Sequence, residues 1–266
     1  MNEAITDEVS DTRNDAMQGY CWLTIKNKKP GTINMRKSKK TCDINTCMMC
    51  RLCIHEWVPA ISVNRVNYDY KKGEIIFREG DEMTGIYFVS TGKVKVHKHW
   101  DDEKELIIRF AKEGDVFGHR GLGNDLIFPV SATALENTTV CFIDREFFNA
   151  TLKINNEFLL KFMLFFAEEL RVSEKRMRDL AHMQVKGRVA NALIVLKKKF
   201  GTDEAGNIAI RLSRQDFASY TGTTYETVFR IMNELSEEKI VRVVGKDIAI
   251  LNEEQLTYFT NQQNEK

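Results

Sequence analysis

The chain has 266 residues, with 39 Lys and Arg against 38 Asp and Glu, 43% hydrophobic residues, 15 Gly and 3 Pro. This composition is typical of a soluble globular protein, and at ~100–200 residues per domain the length predicts two domains. The longest apolar stretch, 158–167, is interrupted by Lys161 and is shorter than the ~20 residues that a membrane-spanning helix needs. We therefore expect no membrane span.

The first fifth of the chain differs in charge from the rest. Residues 1–20 carry five acids and one base, whereas residues 21–53 carry eight bases and one acid. No hydrophobic period is evident, so residues 1–60 are expected to form a loosely ordered N-terminal arm. The acidic start lacks the basic and apolar run of a signal peptide, which predicts a cytoplasmic protein.

Four of the six cysteines are crowded between Cys42 and Cys53. In a reducing compartment such crowding favours a metal site or redox chemistry over a disulfide scaffold. Thiolates at spacings of two to four residues can converge on one iron–sulfur cluster or one zinc ion.

Between residues 61 and 150, short runs of β-branched and aromatic residues alternate with turn glycines. Runs of this kind lie at 74–77, 86–89, 93–96, 106–110, 116–117 and 139–143. Strands about ten residues apart predict an antiparallel barrel or roll.

A long helix is predicted to follow over residues 151–183, because this segment contains no Gly or Pro. Apolar side chains recur along it at spacings of four and three, with Ser173 the single polar member of the series: Leu159, Met163, Phe166, Leu170, Met177 and Leu180. Such a heptad seam flanked by charges favours a parallel two-helix dimer. Packing against the β-roll of the same chain is the alternative.

Residues 184–266 show the pattern of a winged helix-turn-helix. A helix to Phe200 is followed by a short strand at 208–210, a helix beginning at Ser213 and a turn at Gly222. A helix capped by Thr223 or Thr224 then runs to Glu237, and a hairpin turned at Gly245 follows. The fold class is therefore predicted as α+β: an antiparallel β-roll, a long helix and a C-terminal winged helix-turn-helix. A basic cluster at 186–199 is either a nucleic-acid contact or a solvated helix face.

From Tyr70 to Leu251 the sequence resembles the CRP/FNR family of bacterial transcription regulators. The most specific match is residues 212–216, followed by Gly222 and then residues 226–230, which resemble the family's recognition-helix signature E-T-[VI]-x-R. Residues 80–81, 92–94 and 113–118 are similar to its sensory β-roll, which implies a cyclic-nucleotide-binding-like jelly roll. The resemblance also implies a homodimer that binds double-stranded DNA at a near-palindromic operator and contacts RNA polymerase.

The chemistry of the predicted recognition helix agrees with DNA binding. Thr224, Tyr225, Glu226 and Arg230 lie on a common helical face that can enter the major groove. Arg230 can donate two hydrogen bonds to guanine, and Glu226 can accept one from cytosine or orient the arginine. Phosphate contacts are expected from Lys197–Lys199. The helix that precedes the recognition helix is expected to add phosphate contacts from Ser213 and Arg214. The alternative is a surface ion pair between Glu226 and Arg230.

The effector is not settled by the resemblance. Cyclic-nucleotide members of the family have a glutamate for the ribose and an arginine for the phosphate, and His119 and Val130 stand in their places here. A phosphate buried without a guanidinium is costly, which argues against cyclic AMP. The candidate effector pocket comprises His119, Arg120 and Ser131.

The FNR branch of the family is similar in having N-terminal cysteines and one β-roll cysteine that bind a [4Fe–4S] cluster. The corresponding candidates here are Cys42, Cys47, Cys50, Cys53 and Cys141. Their spacing departs from the Cys-x2-Cys-x5-Cys of that branch, so structural zinc, a thiol–disulfide switch and cysteines without a sensory task stay open. A cluster would make DNA binding respond to oxygen or nitric oxide.

Two other classes of function are weighed against an effector-controlled regulator. A thiol oxidoreductase would use Cys47 and Cys50 or Cys50 and Cys53, but no βαβ pattern surrounds them. The second alternative is a regulator whose β-roll binds no ligand and which binds DNA constitutively. We expect no enzyme.

Overall fold

Two antiparallel sheets form a β-roll in the computed structural model, which describes residues 35–39, 43–101 and 104–261. One sheet has five strands in the order β1-β2-β9-β4-β7, and the other has four in the order β3-β8-β5-β6. The strands are β1 (Arg36–Lys37), β2 (Arg65–Tyr70), β3 (Ile75–Phe77), β4 (Gly85–Thr91), β5 (Lys93–His99), β6 (Glu105–Lys112), β7 (Val116–Phe117), β8 (Ser131–Ala134) and β9 (Thr138–Asp144). Six of them were predicted from the sequence, and β1, β2 and β8 were not.

Alternation along β4 shows how the five-stranded sheet separates two cores. Tyr87 and Val89 face the four-stranded sheet, in a core that also contains Phe77 and Phe117. Phe88, between them, faces the opposite side. This period of two follows from the pleat of a strand and makes both faces of the sheet apolar.

The outer face of this sheet is covered by three helices: α1 (Met48–Leu52), α2 (Val58–Asn64) and α3 (Arg145–Ile154). Met49 and Ile61 are fully buried there against Phe88. The expectation of a loose arm over residues 1–60 is therefore wrong for residues 43–60, because their sparse apolar side chains cover a sheet face that the sequence pattern did not reveal. Residues 1–34 lie outside the described part.

The long helix α4 (Asn156–His182) follows α3 after a break at Asn155. The Asn155 side chain accepts a hydrogen bond from Ile54 N at 2.8 Å and donates one to Thr151 O at 2.9 Å, which ties the break to the cysteine segment. The expected start of this segment at residue 151 thus falls inside α3. Of the 27 residues of α4, three are buried: Phe158, Phe162 and Asp179.

The C-terminal part contains a helix-turn-helix and a two-stranded wing. Its elements are α5 (Val185–Phe200), α6 (Arg214–Thr221), α7 (Tyr225–Glu237), β10 (Val241–Val244), β11 (Asp247–Ile250) and α8 (Glu253–Asn261). The predicted strand at 208–210 is wrong: Ile208 makes an isolated bridge to Thr202, and its N donates to Ile248 O of the wing. Helix α8 was not predicted.

The architecture is α+β, with an antiparallel β-roll, a long helix and a C-terminal winged helix-turn-helix, as the sequence predicts. No described helix combines the length and the apolar character required to cross a bilayer.

Candidate nucleic-acid interface and sensor sites

Side-chain caps set the geometry of the helix-turn-helix. Ser213 and Asp216 form a capping box at the start of α6, and the Ser213 hydroxyl also donates to Asp216 Oδ2 at 2.5 Å. Thr224 Oγ1 accepts from Thr227 N at 3.3 Å at the start of α7, and Gly222 ends α6 in the left-handed region. Ser213, expected to contact phosphate, thus uses its hydroxyl to cap a helix.

Aromatic side chains cover the exposed face of α7. The rings of Tyr225 and Phe229 are stacked, with centroids 6.4 Å apart and planes 10° apart. The Arg214 guanidinium lies 4.7 Å from the centroid of Phe229, so this arginine sits between α6 and α7. Phe229 was missed from the sequence, although its position four residues after Tyr225 places it on the same helical face.

Arg230 is exposed on this face and donates to Glu234 Oε1 at 2.6 Å. The sequence suggested Glu226 as its partner, one turn earlier rather than one turn later. An exposed pair of this type contributes only ~0.3–0.5 kcal/mol, so the guanidinium can exchange Glu234 for a base edge at little cost. Glu226 is exposed in the first turn of the same helix.

Most basic side chains of α5 make ion pairs or hydrogen bonds with other groups of the same chain. Lys199 pairs with Asp115 at 2.8 Å and Lys197 with Glu253 at 2.5 Å. Arg188 donates to Thr221 O at 2.9 Å. The sequence did not anticipate these carboxylates from α8 and from the turn before β7. The pair of Lys199 with Asp115 is largely buried and argues against a phosphate contact by Lys199, whereas the pair of Lys197 is exposed and leaves that prediction standing.

The candidate effector pocket is divided. His119 and Arg120 lie in a 3-10 turn and face Glu169 of α4, with Arg120 Nη2 at 3.2 Å and His119 Nε2 at 3.7 Å from Glu169 Oε2. Arg109 Nη1 lies 3.2 Å from the same oxygen. Ser131 Oγ instead accepts a hydrogen bond from Glu79 N at 2.9 Å.

The Glu169 carboxylate is therefore surrounded by two arginines and a histidine, where a bound anion would otherwise lie. Burial alone would raise its pKa, but the nearby His119 ring and the charges of Arg109 and Arg120 outweigh burial and hold the pKa at about 2. Burial lowers the pKa of His119. The two arginines that could bind a phosphate are thus already paired with this carboxylate.

Four cysteines meet in one apolar cluster. Cys47, Cys50 and Cys53 lie at the two ends and in the middle of α1, and Cys141 lies on β9. All four are buried in the core on the outer face of the five-stranded sheet. Burial, and then the nearby Cys47, raise the pKa of Cys53 to about 12. Cys42 lies outside the described residues.

Four thiolates are the donor set of an iron–sulfur cluster and also of a tetrahedral zinc site. By donor type, the buried group of Cys47, Cys50, Cys53 and Cys141 therefore fits either of the two.

The predicted dimer seam faces outward along α4. Leu170 is 62% exposed and Met177 is 65% exposed, and Leu159, Met163 and Phe166 are also exposed. Leu180 is half-buried, with its side chain over Gly222. The intramolecular alternative, in which the seam covers the chain's own β-roll, is not what the structure shows.

Comparison with known proteins agrees with both parts of this architecture. Residues 68–155 match the cyclic nucleotide-binding domain family, and residues 187–259 match the Crp-like helix-turn-helix domain family. The chain belongs to the CRP/FNR family. It is a transcription regulator with a DNA-binding helix-turn-helix.

Several named regulators are similar to this CRP/FNR regulator. The "CRP-like cAMP-activated global transcriptional regulator" of Mycobacterium tuberculosis is 26% identical over 71% of this chain and 85% of its own length. The "Transcriptional activator protein Anr" of Pseudomonas protegens is 29% identical over 70% of this chain and 77% of its own. The solved structure of FixK2 from Bradyrhizobium japonicum is 29% identical, with a TM-score of 0.68 over 74% of this chain and 98% of that one.

The names of these relatives confirm a regulator as opposed to an enzyme. Each of the two sequence relatives above is named as a transcriptional regulator or activator. One of these two relatives is named for cyclic AMP, and the name of the other contains no effector.

Proposed function

We propose that this CRP/FNR regulator acts as a cytoplasmic homodimer that reads a near-palindromic DNA operator and is controlled by its buried N-terminal cysteines. The observation that carries the DNA part is the capped helix α7, whose exposed face presents Tyr225, Glu226, Phe229 and Arg230. The family resemblance implies that the DNA-bound dimer contacts RNA polymerase.

On DNA, α7 enters the major groove with its N-terminal turn toward the bases. Arg230 leaves Glu234 and donates two hydrogen bonds to guanine O6 and N7, while Glu226 accepts from a cytosine amino group. Tyr225 and Phe229 offer apolar contact to thymine methyl groups. Arg214 binds phosphate, and the capping residues Ser213 and Thr224 hold the two helices at the angle that the groove requires.

Dimerisation places two such helices one DNA turn apart. The exposed seam on α4 supports this assembly, since a stripe of large apolar side chains along an isolated helix is costly in water. A second copy of α4 covers the stripe in heptad register.

For the sensor we propose a [4Fe–4S] cluster held by Cys47, Cys50, Cys53 and Cys141. The bound cluster supplies reactivity toward oxygen or nitric oxide. Phe158 and Phe162 of α4 share the apolar core with these cysteines, and α1 packs on α4. Rearrangement of α1 therefore changes the support of the dimer helix, and a sensor signal reaches the recognition helices only if the two states bind DNA unequally.

The DNA proposal is tested by selection of duplexes from a random oligonucleotide pool, with protein prepared in the presence and in the absence of oxygen. We expect a near-palindromic consensus with half-sites about one helical turn apart. Absence of any preferred duplex under both conditions would contradict the proposal. Equal preference under both conditions would favour constitutive binding.

The sensor proposal is tested by anaerobic reconstitution followed by visible absorption and by iron and sulfide analysis. We expect four iron and four sulfide per chain in the wild type, as the [4Fe–4S] formula requires. The Cys50→Ser variant is expected to lose the cluster, and Cys21→Ser, outside the proposed ligand set, to retain it. A colourless, iron-free wild type would contradict the cluster.

A cyclic nucleotide is the second candidate effector, favoured by the match of residues 68–155 to the cyclic nucleotide-binding domain family. Val130 and the pairing of Arg109, Arg120 and His119 with Glu169 weigh against it. Equilibrium dialysis against cyclic AMP distinguishes the two. Saturable binding that tightens operator affinity would replace the cluster as effector.

A further inference from the structure

Two histidines and a glutamate meet at the end of the hairpin formed by β5 and β6. His97 and His99 are two residues apart on β5 and therefore share a face, and His99 is paired in register with Glu105 of β6. One ligand atom from each of the three side chains lies within 4.8 Å of the other two. The two imidazole rings lie edge to face with centroids 4.9 Å apart.

His97 is the unusual member of this group. Its side chain is buried, with 3% of the residue exposed, and Nδ1 faces Glu105 Oε2 at a distance of 2.8 Å. Nε2 lies 2.9 Å from Thr133 Oγ1, which orients the ring and directs Nδ1 toward Glu105 and His99. A buried imidazole nitrogen held this close to a carboxylate oxygen, with the second imidazole beside them, places three ligand atoms where one metal ion can bind them together.

The donor types select the class of ligand. Two imidazoles and one carboxylate suit zinc and neighbouring divalent transition metals, whereas magnesium and calcium prefer oxygen ligands. His99 is exposed and provides an entry path from solvent. The Thr133 hydroxyl on His97 resembles the outer hydrogen bonds that orient metal-bound histidines.

The same glutamate is connected to the helix-turn-helix. Lys95 Nζ donates to Glu105 Oε1 at 2.5 Å and to Asp216 Oδ1 at 2.9 Å, and Asp216 closes the capping box of α6. Lys95 and Glu105 are largely buried, each with 14% of the side chain exposed. A dication bound to Glu105 repels the Lys95 ammonium and competes with it for the Glu105 carboxylate. Displacement of Lys95 would weaken its hydrogen bond to Asp216, which links the β-roll to α6.

We propose that His97, His99 and Glu105 form a cysteine-independent site for a divalent transition-metal ion, and that its occupation alters DNA binding through Lys95 and Asp216. The second half of this proposal rests on the DNA-binding function proposed above, whereas the first half does not. The site lies in the four-stranded sheet and shares no residue with the cysteine cluster.

The site is tested by titrating Zn²⁺ into the metal-stripped, full-length protein and counting the equivalents bound. The exposed His99 permits a variant, His99→Ala, that leaves the core intact, and His182→Ala removes an exposed histidine outside the group. We expect His99→Ala to lose one equivalent per chain or to bind it at least ~10-fold more weakly, with His182→Ala like the wild type. Because cysteine-bound zinc contributes equally to all three proteins, identical titrations would overturn the site.

The coupling is tested by measuring operator affinity with and without Zn²⁺. We expect a change of at least about fivefold in the wild type and less than about twofold in His99→Ala. The Lys95→Gln variant is expected to bind Zn²⁺ but to lose its effect on DNA. An equal zinc effect in Lys95→Gln and wild type would overturn this route. Failure of every protein to prefer any duplex, with the His99-dependent equivalent retained, would reject the DNA-binding proposal and leave the metal site standing.

Discussion

At the scale of single residues, the ion pair of Arg230 with Glu234 holds the arginine in an exposed position on α7. Its guanidinium is held by Glu234 in an exposed pair on one helix, where water competes for both charges. The pair restrains the side chain along α7 without burying it. A guanine that offers two acceptors can therefore displace the carboxylate.

We predict that Arg230→Ala removes the preference for guanine at the position it contacts, a loss of ~1–3 kcal/mol of discrimination in each half-site, and leaves low-salt nonspecific affinity largely intact. Competition of operator against unrelated duplex in a gel-shift titration measures both. Arg171→Ala is the matched control, since Arg171 is another exposed arginine in an ion pair within one helix, with Glu168. Equal weakening on all duplexes would count against direct readout by Arg230.

At the scale of elements, α4 has two faces with different tasks. One face contacts the β-roll through Phe158, Phe162 and Glu169. The other carries the apolar seam, which stays exposed in the single chain. Docking of the helix and dimerisation through it can therefore be tested separately.

For the seam, we predict that Leu170→Glu converts the dimer into monomers, because a carboxylate in the centre of a two-helix seam is desolvated without a partner. Sedimentation velocity across a concentration series measures the assembly. Leu251→Glu is the control, since Leu251 is an exposed leucine away from α4. A Leu170→Glu protein that sediments as the wild type does would refute the seam.

For the docked face, we predict that Glu169 stabilises the fold in a pH-dependent manner. Its pKa is about 2 in the folded chain and ~4.3 in an unfolded one. The contribution, about 1–3 kcal/mol, is therefore complete above pH ~4.3 and is lost as the pH falls through about 2. The groups facing it are Arg109 of β6 and His119 and Arg120 of the 3-10 turn.

Urea unfolding of Glu169→Gln and wild type, from pH 7 down to pH ~3, measures this contribution. The difference between the two proteins should be largest near neutral pH and should shrink in acid. Glu168→Gln changes the neighbouring, exposed carboxylate and should show at most a small trend, because water screens its pair with Arg171. A difference independent of pH would mean that Glu169 acts through packing alone.

At the scale of the whole molecule, the β-roll and the helix-turn-helix share a core. Ile107 and Phe110 of β6 belong to the apolar cluster of the C-terminal part, and Phe110 packs on Tyr220 with ring centroids 4.9 Å apart. Arg176 of α4 adds polar links, since it donates to Ile107 O and to Tyr220 O, each at 2.5 Å. The helix-turn-helix part is thus positioned by the β-roll and α4.

We predict that Phe110→Ala lowers the free energy of unfolding by ~3–5 kcal/mol and splits a single calorimetric transition into two, because the shared core is lost. Phe148→Ala is the matched control, since Phe148 is as deeply buried but lies in the cysteine core. That variant should shift the transition without splitting it. Two transitions in the wild type would show that the domains unfold independently.

The sequence by itself determined the features whose causes lie within a few residues of each other. The cap at Ser213, the turn at Gly222 and the strand at 86–89 depend on neighbours a few residues away in the chain. Of the two candidate caps Thr223 and Thr224, the structure selects Thr224. These local rules were sufficient for the helix-turn-helix, the wing and most of the β-roll. The convergence of Cys141 with Cys47, Cys50 and Cys53 was anticipated through family resemblance.

Only the tertiary structure decided which charges meet. The pairing of Glu169 with Arg109, of Lys199 with Asp115 and of Lys95 with Asp216 joins residues far apart in the chain. Such pairs depend on strand register and on how helices dock, and no periodicity along the chain encodes them. For the same reason the group formed by His97, His99 and Glu105 became visible only when β5 and β6 were paired.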